Sequence, residues 1–194
     1  NLLMLRPTHL SCYSLIVEEG TPLYHDVCSG ACRLPDEDLE RDMFELSRAT
    51  LESAGYHRYE ISNFAYDGYA CQHNVDCWQR AEYLGIGVSA ASLIGHERWR
   101  NPSVISAYLQ HHQPEIIPLT PEDERFESVM LGLRMTSGIS DRDFFERHGI
   151  SLTDAYGPVL QQLIADGLLT WRKGALCCTS RGLDLQNLVL LPFL

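Results

Sequence analysis

The sequence lacks the features of a secreted, membrane-spanning or nucleic-acid-binding protein. Its opening segment, NLLMLRP, has no initiator methionine, no basic leader and no long apolar run, and LVLLPFL at the other end is too short to cross a bilayer. Fifteen lysines and arginines oppose 26 aspartates and glutamates, a formal net charge of −11 that would repel a phosphate backbone. We therefore expect a cytoplasmic protein with no nucleic acid partner and no stable membrane span.

Cysteines are also too few and too scattered for a disulfide framework. There are seven in 194 residues, and a hydrophobic content of 45% allows a core without covalent staples. Cys28 and Cys32 have the spacing that begins CxxxCxxC, the motif that holds a 4Fe-4S cluster in radical SAM enzymes, but Pro35 occupies the third cysteine position. We interpret these two cysteines as surface-loop residues, and the adjacent Cys177 and Cys178 as packing residues of a strand.

The first hundred residues alternate strand and helix patterns. Residues 9–17, HLSCYSLIV, are typical of a strand buried on both faces. Asp36 can cap a helix that continues to about Ala54, and further strands are predicted at residues 58–62 and 83–92. This order predicts an α/β fold with parallel strands and crossover helices. So few strands indicate either a small open sheet or one part of a larger barrel.

Residues 103–194 have a helical pattern instead. Thr120 is a strong N-cap, because proline and acidic residues follow it in the first turn. Helices are also predicted at residues 141–148 and 151–166, and residues 168–179 predict a hairpin of two short strands. This order is winged-helix-like. The helix at 151–166 contains no lysine or arginine, which argues against DNA recognition.

The segment CQHNVDCW, residues 71–78, is the richest in groups that bind metals. Cys71, His73 and Cys77 could ligate zinc, although their spacing matches no paired CxxC unit. His73 could instead bind the iron of a porphyrin, or be an ordinary loop residue near Trp78. The residues alone leave these readings open.

Two other positions have a functional and a structural interpretation. Glu60 and Asn63 flank a predicted strand end, where barrel enzymes gather their site residues, but local hydrogen bonding would explain them equally well. The small residues of GIGVSAAS, residues 85–92, would let a ligand approach the backbone, or allow tight packing.

Several segments, taken together and in order, resemble the HemW-like heme chaperones. They are CYSLIVEEGTPLY, PDEDLERDMFEL, GYHRYEISNFA, HNVDCW and YLGIGVSAAS, and the resemblance continues in LTPEDERFESVMLGLR and GLLTWRKGALCCTSRGLDL. These chaperones belong to the radical SAM group that includes the HemN-like oxygen-independent coproporphyrinogen III oxidases. The resemblance implies that residues 1–102 are the C-terminal part of a radical SAM (TIM-like) α/β barrel and residues 103–194 a HemN C-terminal-type domain. The cluster motif would lie in a preceding N-terminal half.

The resemblance also implies ligands and site residues. The full-length protein would hold a 4Fe-4S cluster and S-adenosyl-L-methionine, and would bind heme or a porphyrin. The histidine of the family's HNxxYW motif, implicated in heme binding, maps onto His73, with Trp78 beside the porphyrin and Cys77 in place of tyrosine. Cys77 stays open as a second iron ligand. In the family, two residues lie against S-adenosyl-L-methionine, and the corresponding positions in this chain are Ser14 and Ala91.

Three functions follow as alternatives. The preferred one is a heme chaperone that transfers heme to acceptor proteins, which needs His73 as an iron ligand. The second is the coproporphyrinogen III oxidase reaction, favoured by the similarity of GVSAAS to the oxidase segment GVSAIS, and it acts on a metal-free tetrapyrrole. The third is an interaction module in residues 103–194. Whether the chain is part of an enzyme stays open, and no catalytic residue is predicted.

Overall fold

The computed structural model describes residues 2–194. The contacts between Cα atoms divide the chain into two compact units, Asn1–Ala70 and Cys71–Leu194. Both contain helices and strands, which confirms the predicted mixed α/β class in its coarse form. Within residues 2–194, no helix is long and apolar enough to cross a membrane.

The first unit is built on a small sheet and one long helix. Its central strand pairs antiparallel with both neighbours. Phe64 and Tyr56 are fully buried in its core, against Leu10 and Leu51. The elements are β1 (His9–Ser11), α1 (Pro22–Cys28), α2 (Glu37–Ser53), β2 (His57–Arg58) and the central β3 (Asn63–Ala65).

The second unit begins with a helix and an antiparallel three-stranded sheet. These elements are α3 (Gln72–Trp78), β4 (Ala91–Ile94), β5 (Glu97–Arg100), α4 (Ile105–Leu109) and β6 (Glu115–Pro118). The rest of the unit packs helices against a second antiparallel sheet. Its elements are α5 (Pro121–Gly132), β7 (Ile139–Ser140), α6 (Asp141–His148), α7 (Leu152–Ala165), β8 (Leu169–Arg172), β9 (Ala175–Cys178), α8 (Ser180–Asp184) and α9 (Gln186–Leu190).

Local capping signals specify where the helices begin. Asp36 accepts a hydrogen bond from the backbone of Leu39, as the sequence predicts. Thr120 and Asp123 form a reciprocal capping box, and the hydrogen bonds from Thr120 lower the pKa of Asp123. The helix after Ser151 is interrupted at Tyr156, whose φ of −133° is non-helical, and it continues through Pro158.

The predicted helices and hairpin of residues 120–179 are confirmed, and each predicted boundary lies close to an observed one. Val129 and Leu133 are fully buried, and Leu160 and Leu163 join the same core. Ile164, one residue further along the same helix, is 37% exposed.

The predicted parallel pairing is wrong for the strands that the structure describes. Every pair among β1–β9 is antiparallel. For β2 and β3 the physical reason is their short connection, which is closed by Arg58 donating to the Ile61 carbonyl at 2.7 Å. A parallel pair needs a crossover of about a dozen residues.

All three strands predicted in the first hundred residues are much shorter than expected, and of the one predicted at 58–62 only Arg58 lies in a strand. The strand predicted at 9–17 ends at Ser11, and Tyr13 and Ile16 beyond it are 72% and 79% exposed. Of the strand predicted at 83–92 only the two ends remain: Tyr83 forms an isolated bridge to Leu93 of β4, and β4 itself begins at Ala91. The backbone after Ser11 lacks a strand partner among the described residues, so its apolar sequence does not produce a strand.

The packing around Gly138 gives a first prediction. Its φ is +75°, and a Cβ atom there would overlap the backbone of Leu176 and the sulfur of Cys177. We expect Gly138→Ala to lower the free energy of unfolding by about 2 kcal/mol or more. The matched control is Gly157→Ala, where the added methyl meets nothing within 4 Å. That control should leave stability unchanged or raise it by up to about 1 kcal/mol. Guanidinium unfolding followed by circular dichroism measures both, and equal effects would contradict the packing account.

Candidate functional site

The metal-ligand-rich segment forms a helix, not the loop that the sequence suggested. Residues 72–78 make up α3, and the side chain of Gln72 donates to Asp76 one turn later at 2.7 Å. A helix fixes the direction of each side chain more firmly than a loop does. It therefore decides which residues of this segment can act together.

His73 and Cys77 lie on one face of α3. They are four residues apart, and His73 Nε2 lies 3.9 Å from Cys77 Sγ. The imidazole of His73 is exposed and Cys77 is partly exposed. A histidine nitrogen and a cysteine sulfur are both ligands that iron can bind, and these two are accessible from the same side of α3.

Trp78 faces a different direction from His73. Trp78 comes five residues after His73, a separation of about 140° around the helix axis. The guanidinium of Arg134 covers the indole ring, with its carbon 4.2 Å from the ring centroid. The indole N–H is buried and has no hydrogen-bond partner. One face of this aromatic ring is thus occupied by protein.

A buried ion cluster anchors the end of α3. Arg80, two residues beyond the helix, is only 8% exposed and adopts a left-handed φ of 55°. Its Nε donates to Glu127 at 2.8 Å, and its Nη2 lies 3.4 Å from a carboxylate oxygen of Glu124. Because both acids lie on α5, they hold the end of α3 against that helix.

The same two acids also bind the β4–β5 hairpin. Arg98 donates to Glu127 at 2.6 Å, and this contact raises the pKa of Arg98. His96 lies 2.7 Å from Glu124. The cluster therefore links α3, α5 and the hairpin through side chains that are far apart in sequence.

Ser14 lies in the first unit and borders a cavity of about 320 Å³. Leu34, Met43 and Phe44 supply its apolar walls, and Glu40 is also at its edge. Ser14 itself is exposed in the irregular segment after β1. The cavity is large enough to take part of a small organic ligand.

Ala91 opens β4, where it pairs with Arg100. A side chain at Gly85 would overlap the Ala91 carbonyl, so the glycine allows two backbone segments to approach closely. Asn101 supports the turn by donating to the carbonyls of Gly85 and Gly87. The small residues of this segment thus have a packing role. The four residues predicted as a site lie on three separate elements: the segment after β1, α3 and β4.

Glu60 has a structural environment. It is completely buried and accepts hydrogen bonds from the Ser62 backbone and the Asn63 side chain, both at 2.7 Å. These bonds organise the turn between β2 and β3. Local bonding is therefore the role that the geometry supports.

The residues present do not fit a 4Fe-4S cluster. Cys28 ends α1 and Cys32 follows it, but no third thiolate completes the motif. Across residues 2–194, the structure brings together no group of three or more cysteines, histidines or acids that could hold a metal ion. Cys177 and Cys178 are buried, and burial raises the pKa of Cys178 to about 12. Their predicted packing role is confirmed.

Sequence reasoning missed a second cavity, of about 420 Å³, beside α3, α5 and α6. Ser128 and His148 form a hydrogen bond of 2.9 Å in its wall, and Trp78 and Arg147 border it. Burial, reinforced by the charges of Arg147 and Arg80, lowers the pKa of His148 to about 4. These residues carry no motif, because their proximity depends on the packing of separate helices.

Comparisons with known proteins show which families the chain resembles. A family model described as the HemN C-terminal domain matches residues 119–185. The chain is 35% identical over 198 residues to the heme chaperone HemW of Bacillus subtilis. This alignment covers 99% of the chain and 52% of that protein. It is 33% identical over 196 residues to HemW of Lactococcus lactis, with the same two coverages. The chain is therefore similar to these HemW proteins over nearly all of its own length.

The HemW-like chain also has a solved structural neighbour. It resembles the Escherichia coli coproporphyrinogen III oxidase HemN, described as a radical SAM enzyme, with a TM-score of 0.74 and 19% sequence identity. The similarity covers 99% of this chain and 49% of that one. It shows a shared fold. The HemW-like chain spans about half the length of the curated relatives it matches.

The ion cluster gives a prediction about stability. Glu127→Gln removes the charge that faces Arg80 and Arg98, and we expect a loss of about 2 kcal/mol or more in the free energy of unfolding. The control is Glu146→Gln, which breaks an exposed pair with Arg142. That change should cost less than about 1 kcal/mol. Chemical unfolding of both variants checks this, and a similar small loss in each would remove the anchoring role.

The low pKa of His148 predicts a dependence on pH. The folded pKa of about 4 lies below the usual value of 6.5, so the unfolded chain binds more protons between these values. The contribution of His148 to stability is complete above pH 6.5 and declines as the pH falls toward 4. His148→Gln should flatten this part of the stability curve, whereas the exposed-site control His112→Gln should follow the unmodified protein. If His148→Gln left the curve of stability against pH unchanged, that result would contradict the assignment of this pH dependence to His148.

Proposed function

We propose that the chain is the C-terminal half of a HemW-like heme chaperone and that His73 binds the heme iron. The observation that carries the proposal is the exposed imidazole of His73 on a helix whose far end is anchored by buried ion pairs. Such an imidazole can approach the iron axially without rearrangement of the core. The HemW relatives are named as heme chaperones, which supports the same function.

Cys77 modifies the proposed heme site. The resemblance places a tyrosine at this position in the family, so this chain has lost an aromatic wall and a phenol. The sulfur lies 3.9 Å from His73 Nε2, on the same helix face. We propose the imidazole as the iron ligand and the thiol as its neighbour. Trp78, whose ring is covered by Arg134, is then a support of the helix more than a wall of the porphyrin site.

We further propose that residues 1–102 are part of a radical SAM barrel and that residues 103–194 form its winged-helix-like C-terminal domain. The exposed apolar residues after β1 and along α2 support this, because further barrel elements would cover them. They include Tyr13, Leu15, Ile16, Met43 and Leu46. Ser14, at the apolar cavity, and Ala91 would contact S-adenosyl-L-methionine in the full-length protein.

Transfer of heme to an acceptor protein is the step that we propose for the cell. An exposed ligand suits transfer, since a partner can reach the iron from the open side. The net charge of −11 favours a protein acceptor with a basic surface over a nucleic acid. A cytoplasmic location fits the reduced state expected for the seven cysteines.

The test is an absorbance titration of ferric heme into the 194-residue chain and its His73→Ala variant. We expect saturable binding with a shifted Soret band in the unmodified chain, and loss of that shift in the variant, because the axial imidazole is gone. His25→Ala removes another exposed histidine and should bind heme as the unmodified chain does.

Other outcomes distinguish the alternatives. A Soret band that survives His73→Ala but changes in Cys77→Ser would assign the iron to the thiolate. Equal or absent binding in all variants would refute the heme site. The neighbouring HemN structure, named as an oxidase, would then make the oxygen-independent oxidase reaction the better hypothesis.

A further inference from the structure

The pair formed by His73 and Cys77 has the geometry of a two-ligand metal site. The sulfur of Cys77 lies 3.9 Å from His73 Nε2, and the two residues are one turn apart on α3. A tetrahedral zinc ion has bonds of about 2.1 Å to a histidine nitrogen and about 2.3 Å to a thiolate, which place those two atoms about 3.6 Å apart. A small side-chain rotation therefore lets both donors bind one ion.

Both donors are open to an approaching ion. His73 is exposed and Cys77 is partly exposed. The two hydrophobic cores are formed by other residues. An ion can thus reach the nitrogen and the sulfur from solvent, and its binding requires no change in the packing of either core.

The charges around α3 favour a cation. The only aspartate, glutamate, lysine or arginine within this helix is Asp76, which accepts a hydrogen bond from the neutral amide of Gln72. The nearby guanidinium groups are engaged elsewhere: Arg134 covers Trp78 on another side of the helix, and Arg80 pairs with two buried acids. The carboxylate of Asp76 therefore attracts a positive ion to this helix.

The donor atoms select the kind of metal. Thiolate sulfur and imidazole nitrogen suit Zn²⁺ and similar transition-metal ions, whereas Mg²⁺ and Ca²⁺ prefer oxygen ligands. Among residues 2–194, no group of three or more cysteines, histidines or acids comes together to enclose an ion. The remaining coordination positions are therefore left to water, and a bound ion would stay exchangeable.

We propose that His73 and Cys77 together chelate one divalent transition-metal ion of the Zn²⁺ type. The neutral imidazole binds through Nε2, and the thiol binds as a thiolate, releasing its proton to water as the metal–sulfur bond forms. The proposal does not rest on heme binding. An imidazole that holds such an ion cannot also ligate heme iron, so the ion and heme are alternative occupants of one helix face.

Titration of the reduced 194-residue chain with Co²⁺, followed by absorbance, tests the proposal. We expect a cobalt–thiolate charge-transfer band in the near ultraviolet that saturates with a Kd below about 1 mM. Zn²⁺ should remove the band by displacing Co²⁺, because it binds such ligands more tightly. Mg²⁺ should leave the band unchanged, because it prefers oxygen ligands.

Four variants of accessible residues assign the band. Cys77→Ser should abolish it, because the sulfur donor is gone. His73→Ala should weaken Co²⁺ binding about tenfold or more, because a single donor loses the advantage of two linked ones. Cys28→Ser and His25→Ala remove another exposed thiol and another exposed imidazole, and both should bind Co²⁺ as the unmodified chain does.

Four results would overturn the proposal. They are the absence of a saturable band, a band that survives Cys77→Ser, a band lost in Cys28→Ser, and an affinity that His73→Ala leaves unchanged. Any of them reduces the 3.9 Å contact to a weak hydrogen bond between thiol and imidazole. Because no titration in this series contains heme, none of these results bears on His73 as a heme ligand.

Discussion

The pairing of Arg80 with Glu127 and Glu124 is the interaction on which the arrangement of the second unit depends. It joins the end of α3 to α5, and through Arg98 and His96 it also holds the β4–β5 hairpin. The charges of Arg80, Glu124 and Glu127 are shielded from water, so each needs its partners. The left-handed backbone at Arg80 ends α3 and directs the guanidinium toward those acids. The direction of α3, and with it the exposure of His73, follows from this cluster.

The opposite faces of α3 have different roles. His73 and Cys77 lie on a face open to solvent, where a large planar ligand has room. Trp78 lies elsewhere around the helix, under Arg134 and at the edge of a cavity. One short helix thus carries the proposed iron ligand on one side and a residue at the edge of a cavity on another.

The sequence predicts features that depend on neighbouring residues, such as helix caps, but not features that depend on residues far apart in the chain, such as strand pairing. The caps at Asp36 and Thr120 depend on residues within one turn, and both are observed. The antiparallel sheets and the reduced strand after Ser11 depend on partners distant in the chain. Arg80 and Glu127 are 47 residues apart, and no spacing rule connects them. Family resemblance supplied His73, but only the helix shows which neighbours share its face.

Chemical rescue of a His73→Gly variant tests the central claim most directly. The glycine leaves space where the imidazole stood, and free imidazole can bind the iron in its place. If His73 is the heme ligand, adding imidazole to the heme-loaded variant should restore the Soret band of the unmodified chain, and omitting it should not. A variant that already shows that band without imidazole would contradict the claim and return His73 to a structural role.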